Sequence, residues 1–155
     1  MRDKRFVRDH RGGTLKLKQH QQLINWACAC ANHLLSLLGN NIDERLNNAL
    51  AVAKEWGKGN ASVGDARKAS VDAHTVARDS SDPISIAIAR SIGHAVATAH
   101  MADHSLGAAL YALKAVKNAG KSIHSERKWQ NEQLSLEIKE LIITARKEKE
   151  KHFKI

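Results

Sequence analysis

Four of the chain's nine histidines, His74, His94, His100 and His104, fall in its most apolar third. Imidazole ligates zinc, nickel or iron and carries protons near neutral pH. His100 and His104 are spaced i, i+4. On one continuous helix they lie about 40° apart on one face, with Asp103 flanking them at about 60° on the other side. That geometry can clamp a divalent metal, with a third ligand brought by another helix from His74 or His33. His94 points about 120° away from His100 on the same helix and is a poor third ligand. Two other readings stand beside this one: rings buried and hydrogen-bonded to backbone or carboxylate, and rings left in solvent. Asp103 also serves as a helix N-cap, and a break near Ala102 removes the pairing argument altogether. A divalent metal is thus a conditional cofactor, and the sequence indicates no other.

Cys28 and Cys30 form a C-x-C pair inside an apolar stretch. Two residues apart on a helix, they point about 200° away from each other, so they neither chelate one metal nor form an ordinary disulfide. They read as reduced core thiols. Cys30 and His33 share an i, i+3 spacing, but a mid-helix thiol lacks the electropositive, accessible setting that activates a nucleophile. The chain has no H-E-x-x-H, no His-Asp doublet and no glycine loop of the phosphate- or dinucleotide-binding kinds. No complete catalytic motif is present, which disfavours an enzyme.

Net charge is +9 and the pI about 9.8. Residues 1–18 hold seven Lys/Arg against two acids, residues 121–155 nine against six, and residues 19–120 nine against eight. The excess sits at the two ends, not along one reading helix. Arg2, Lys4, Arg5, Arg8 and Arg11 form an arm able to contact phosphates. The competing reading is an arm that is solvated or paired within the molecule. Stacking platforms for single strands need exposed aromatics, whereas Trp26 and Trp56 sit on apolar stripes. Nucleic acid is therefore not the favoured partner. The Lys147–Lys151 alternation of Lys and Glu is a solvated helix end.

The elements that must position these residues are helical. One proline and nine glycines leave few turns for an all-β chain, and scarce aromatics hand the packing to alanine and leucine. A charged arm over 1–13, closed by Gly12-Gly13, precedes a first helix over 18–38 with Leu23, Ala27, Leu34 and Leu38 on its stripe and Gly39 as its stop. Asp43 caps a second helix, with Gly57 and Gly59 beyond it, and Ser62 with Asp65 forms a capping box for a third. Asp82-Pro83 opens a fourth, with Pro83 where its missing N–H costs nothing. Asp103 or Ser105 starts a fifth. Gly93 and Gly107 each cost about 1 kcal/mol in an exposed helix interior, and such sites are commoner where another helix must approach closely. A long last helix over 122–151 carries Leu134, Ile138, Leu141 and Ala145 on one stripe, which offers a face for a homodimer.

The expectation is an all-α bundle of about six helices with an alanine-rich core. It forms one domain over 1–155: an arm over 1–13, a helical core over 14–120 and a long C-terminal helix over 121–155. No apolar run approaches the roughly 18 residues of a membrane span, and no secretory segment follows the charged start, so a cytoplasmic protein without a membrane partner is expected.

Three stretches together carry a resemblance. They are Met1-Arg-Asp-Lys-Arg-Phe-Val7 with His10-Arg-Gly-Gly13, then Ser62-Val-Gly-Asp-Ala-Arg-Lys-Ala69 with Ala73-His74 and Ala77-Arg78-Asp79. The third runs Gly93-His-Ala-Val-Ala-Thr-Ala-His-Met-Ala-Asp-His104, followed by Gly107-Ala-Ala and Tyr111-Ala-Leu-Lys-Ala115. In these the chain resembles small bacterial immunity proteins with an Imm-5-like helical domain, to about residue 150. The resemblance implies a non-enzymatic protein that binds and neutralises a toxin of a polymorphic toxin system, and it brings no catalytic set. Among the matching positions, Arg78, Asp79, His94 and Asp103 are its candidate partner contacts and His74, His100 and His104 its candidate metal ligands, unless they are structural. The chain departs from the pattern at Lys16 and Lys18 and in its Asn40-Asn41 loop. Inhibitors of nucleases are often acidic, to match a basic channel, so this basic chain implies a toxin with an acidic or neutral contact surface.

Overall fold

Among the described residues, 2–155, the computed structural model has seven α-helices. They are α1 (Leu17–Asn32), α2 (Glu44–Gly57), α3 (Val63–Asp79), α4 (Pro83–Ala97), α5 (His104–Asn118), α6 (Ile123–Glu132) and α7 (Leu136–Glu150). Short 3-10 turns cover Lys4–Phe6, Asp9–Arg11 and Leu35–Leu38. Met1, which opens the first of the three resembling stretches, lies outside the described residues.

The capping residues act as their types dictate. Asp43 accepts the Arg45 backbone N–H at 2.9 Å. Ser62 Oγ accepts from the Asp65 N–H at 3.0 Å while Asp65 accepts from the Ser62 N–H at 3.4 Å. Asp82 accepts the Ser85 N–H at 3.0 Å, with Pro83 as the first helical residue. Asp103 occupies the N-cap position of α5, yet its side chain accepts no capping hydrogen bond.

Three expectations need correction. The first helix ends at Asn32, and Leu35–Leu38 is a separate 3-10 turn that Gly39 follows. The long C-terminal helix is two helices that fold back on one another. On a continuous helix residues 130 and 146 would stand about 24 Å apart. Here Arg146 Nη1 donates to Gln130 Oε1 at 2.7 Å, and Arg127 pairs with Glu150. The apolar stripe read as a dimer face is also spent inside the molecule. Leu134, Ile138 and Ala145 are buried and Leu141 packs against them, which leaves Leu136 and Ile143 as the exposed apolar residues of α7.

Buried side chains form two clusters. The larger is mostly alanine and surrounds α4, which touches α1, α2, α3 and α5. Alanine lets helix axes approach closely, and serine hydroxyls then reach across to backbone carbonyls. Ser70 Oγ donates to Gly93 O at 3.0 Å and Ser91 Oγ to Ala108 O at 2.7 Å. The second cluster joins Phe6, Leu15, Trp26 and Leu106 to Ile138 and Ile142 of α7. Beside it runs a buried polar network. Trp26 Nε1 donates to the Gln130 backbone carbonyl at 2.8 Å, and Gln130 Nε2 donates to Ala109 O at 3.1 Å.

The arm is folded against this second cluster. Its backbone doubles back through Asp9 N–H to Leu15 O at 2.9 Å and Leu15 N–H to Val7 O at 3.0 Å. Gly12 supplies the turn with φ +90°, and Gly13 sits where a side chain would run into the Val7 backbone. Arg5 is chelated by Asp3 and also donates to Thr144 of α7 at 3.0 Å. No helix among the described residues is long and apolar enough to cross a membrane.

Candidate functional site

The connection over 98–103 reverses the chain between α4 and α5, and this reversal decides what the histidines do. The helix is not continuous through Ala102, so the i, i+4 geometry expected of His100 and His104 does not exist. Their rings meet all the same, with centroids 5.3 Å apart, because the turn folds His100 over the first residue of α5. The same reversal overturns the placement of His94. It faces α5 and becomes the hub of the group, with its ring 5.1 Å from His104 and 5.3 Å from His74 of α3. The four rings form a row: His74, His94, His104, His100.

Two glycines make room for it. A Cβ at Gly93 would lie 2.7 Å from His74 Nε2, and one at Gly107 would lie 2.7 Å from His94 Nδ1. The close approach expected at these glycines is real, and what fills the space is an imidazole ring from the neighbouring helix.

Hydrogen bonding fixes much of the row's protonation. Arg90 Nη1 donates to His74 Nδ1 at 2.8 Å, so His74 carries its proton on Nε2. His94 Nδ1 and His104 Nδ1 are 3.0 Å apart, where one must donate and the other accept. Burial, then the neighbouring His104 and His74, push His94 down to about 3. Burial and the Arg90 guanidinium push His74 down to about 4. Burial holds His100 and His104 below the usual histidine range, against a weaker opposite pull from Asp103. At neutral pH the rings are therefore uncharged. His94 also stacks on Tyr111, at 5.2 Å and 17°, and Tyr111 meets Phe153 edge-on.

Such a row tethers three segments of chain and can pass a proton between His94 and His104. It does not match the expected metal site of His74, His100 and His104. Among the described residues no group of three His, Cys, Asp or Glu side chains is placed to hold a metal ion. His33, the other candidate third ligand, is at the end of α1, stacked on Trp129 at 3.5 Å with Nδ1 2.7 Å from Glu126 Oε2. It is therefore spent on that pair and does not partner Cys30. Burial pushes the Cys28 thiol up to about 12 and Cys30 higher still.

Of the expected partner contacts, His94 belongs to the row and Asp103 flanks it. Arg78 and Asp79 are exposed at the end of α3, where Arg78 donates to Thr75 Oγ1 at 3.0 Å. Arg90 was missed from sequence although a signal existed: it is the one charge in the apolar run Ile84–Val96, and such a charge needs a partner.

The chain is thus an all-helical protein whose polar centre is a row of neutral imidazoles. The model of the family described as Imm-5 like putative immunity protein matches residues 13–137, and the chain belongs to that family. The matched span takes in α1 to α6 and all four histidines of the row. No curated protein and no solved structure matches the chain significantly.

Proposed function

We propose that this chain is a non-enzymatic immunity protein that binds and neutralises a toxin of a bacterial polymorphic toxin system, acting in the cytoplasm. The observation that carries the reading is the family match over residues 13–137, which spans the whole histidine-bearing part of the bundle. The site chemistry supports it. Burial holds His74 at about 4 and His94 at about 3, far below the range of a catalytic acid at neutral pH, and the thiols of α1 are buried and unionised. Arg78, Asp79 and Asp103, with the edge of His94, supply the polar contacts to the toxin, and the near-neutral middle of the chain meets an acidic or neutral surface on it.

The test is co-expression with the toxin encoded beside its gene. Growth should be rescued, the two proteins should co-purify, and protection should need about one copy per toxin molecule. Failure to rescue together with failure to co-purify overturns the reading. Protection at far below one copy per toxin would overturn its non-enzymatic part.

A further inference from the structure

Below the folded arm lies a cavity of about 130 Å³ whose wall is cationic. Arg2, Arg8 and Arg11 come from the arm, Arg67 from the start of α3, His20 from α1 and His100 from the turn between α4 and α5. Trp56 of α2 and Phe6 close its apolar side. Among the described residues no carboxylate lines it. The nearest to the Arg8 guanidinium is Asp9, 4.0 Å from Nε and already held by Lys16 at 3.3 Å and by the His10 backbone N–H at 2.9 Å.

Three buried polar atoms on this one wall have no hydrogen-bond partner: Arg8 Nε, His20 Nδ1 and His100 Nδ1. A buried donor or acceptor left unpaired costs about 1–3 kcal/mol, so three such atoms together, the Arg8 N–H and two ring nitrogens, mark a place where a ligand belongs. His20 is 4% exposed. Its Nε2 donates to the Thr98 carbonyl at 2.6 Å, which leaves Nδ1 as the unbonded nitrogen of a ring that lines the cavity. Four arginines with no lining carboxylate fit the cavity to an anion, and an anion there draws a proton onto either imidazole. With room for roughly four waters, at about 30 Å³ each, the space admits one tetrahedral oxyanion.

We propose that the cavity is a binding site for a single phosphoryl-type oxyanion, held by Arg8 and Arg67 with His20 and His100 donating from Nδ1. The site is independent of the toxin-binding reading. Arg2, Arg8 and Arg11 lie outside the span that the family model matches. Burial, against the hydrogen bond to Thr98 and with help from Arg8 and Arg2, keeps His20 below the usual histidine range in the free protein, and burial, His104, Arg67 and Arg2 do the same to His100 against Asp103. A bound anion reverses that balance, so binding takes up protons.

The test is calorimetric titration of the full-length protein with sodium sulfate, inorganic phosphate and glucose 6-phosphate at matched ionic strength. Sulfate serves because its charge is constant over the pH range used. Saturable binding at one site is expected, at least tenfold weaker in Arg8→Gln and in Arg67→Gln and unchanged in Lys139→Gln on the exposed face of α7. Sulfate should bind more tightly at about pH 6 than at about pH 8, with the His20 and His100 ring resonances shifting and those of His124 and His152 still. Equal binding of the sugar monoester assigns the site to the phosphoryl end of a larger molecule, and binding of free phosphate alone assigns it to the ion. Arg67 is exposed, so its variant remains informative if Arg8→Gln does not fold. No saturable binding, or binding that neither arginine variant weakens, overturns the proposal.

Discussion

Gly107 of α5 and His94 of α4 are so close that a Cβ on the glycine would come within 2.7 Å of the ring's Nδ1. His94 has little room to withdraw, since His74, His104 and Tyr111 surround it. Gly107→Ala sets two effects against each other: better helix propensity, about 1 kcal/mol in favour, and overpacking, about 1–3 kcal/mol against. Overpacking should win, with a net loss of about 1–2 kcal/mol in urea unfolding. Gly93→Ala should cost less, because His74 lies on one side of the row and has fewer rings around it. The decisive measurement is the pair Gly107→Ala with His94→Ala. Once the ring is gone only propensity remains, so adding Gly107→Ala to His94→Ala should stabilise by up to about 1 kcal/mol. Additive losses would mean that the ring does not set the need for glycine.

Stability should fall on mild acidification. His94 and His74, at about 3 and about 4 in the folded protein, have unfolded values near 6.5. Between those limits the unfolded chain binds more protons than the folded one, so stability is full above about pH 6.5 and drains away as pH falls towards 4. Each ring contributes at most about 1.4 kcal/mol per pH unit in that window, and less for its exposed part. The urea midpoint should therefore drop from pH 7 to about pH 5, and His94→Gln should flatten the slope. A midpoint that rises over that window contradicts the assignment of neutral rings.

Much of this architecture was legible in the chain. Asp43, the Ser62–Asp65 box and Asp82-Pro83 each announced a helix start, because capping is local chemistry. The division between α6 and α7 was not, since neither Gly nor Pro marks it and the stripe of Leu134, Ile138, Leu141 and Ala145 already starts inside the connection. Only the tertiary network of Gln130, Asn131 and Arg146 requires the turn. The same limit applied to the site. Helical angles for His94 and His100 hold only on one helix, and the reversal at 98–103 reorders the row. The arginine-lined cavity joins the arm, α1, α3 and that turn, residues that no spacing rule relates.

Gln130 is the hub where α1, α5, α6 and α7 meet. Its side chain accepts from Arg146 and donates to Ala109 O, and its backbone carbonyl takes the Trp26 indole N–H. Gln130→Leu removes both side-chain bonds and leaves the buried Arg146 guanidinium with Asn131 as its remaining partner, which should cost about 1–3 kcal/mol. Arg146→Met removes the charge as well as its need for partners and should cost less. Tryptophan fluorescence reports both, since the Arg146 guanidinium lies over the Trp26 ring at 6.0 Å. Equal stability of Gln130→Leu and wild type would show that the network contributes nothing.

The thiols give the simplest check on how α1 is packed. Cys28 is 3% exposed and Cys30 fully buried, and the lack of solvent for a thiolate pushes Cys28 up to about 12 and Cys30 beyond it. A disulfide reagent reacts with thiolate and needs access to it, so the folded protein denies it both. At about pH 8 neither cysteine should react over hours in buffer, and both should react within minutes in concentrated guanidinium. The slow native reaction should accelerate in Gly107→Ala or Gln130→Leu in proportion to the loss of stability, because the thiols become available through opening. Rapid labelling of native wild-type protein would place at least one cysteine on the surface, and with it α1 in the wrong rotational setting against α5 and α7.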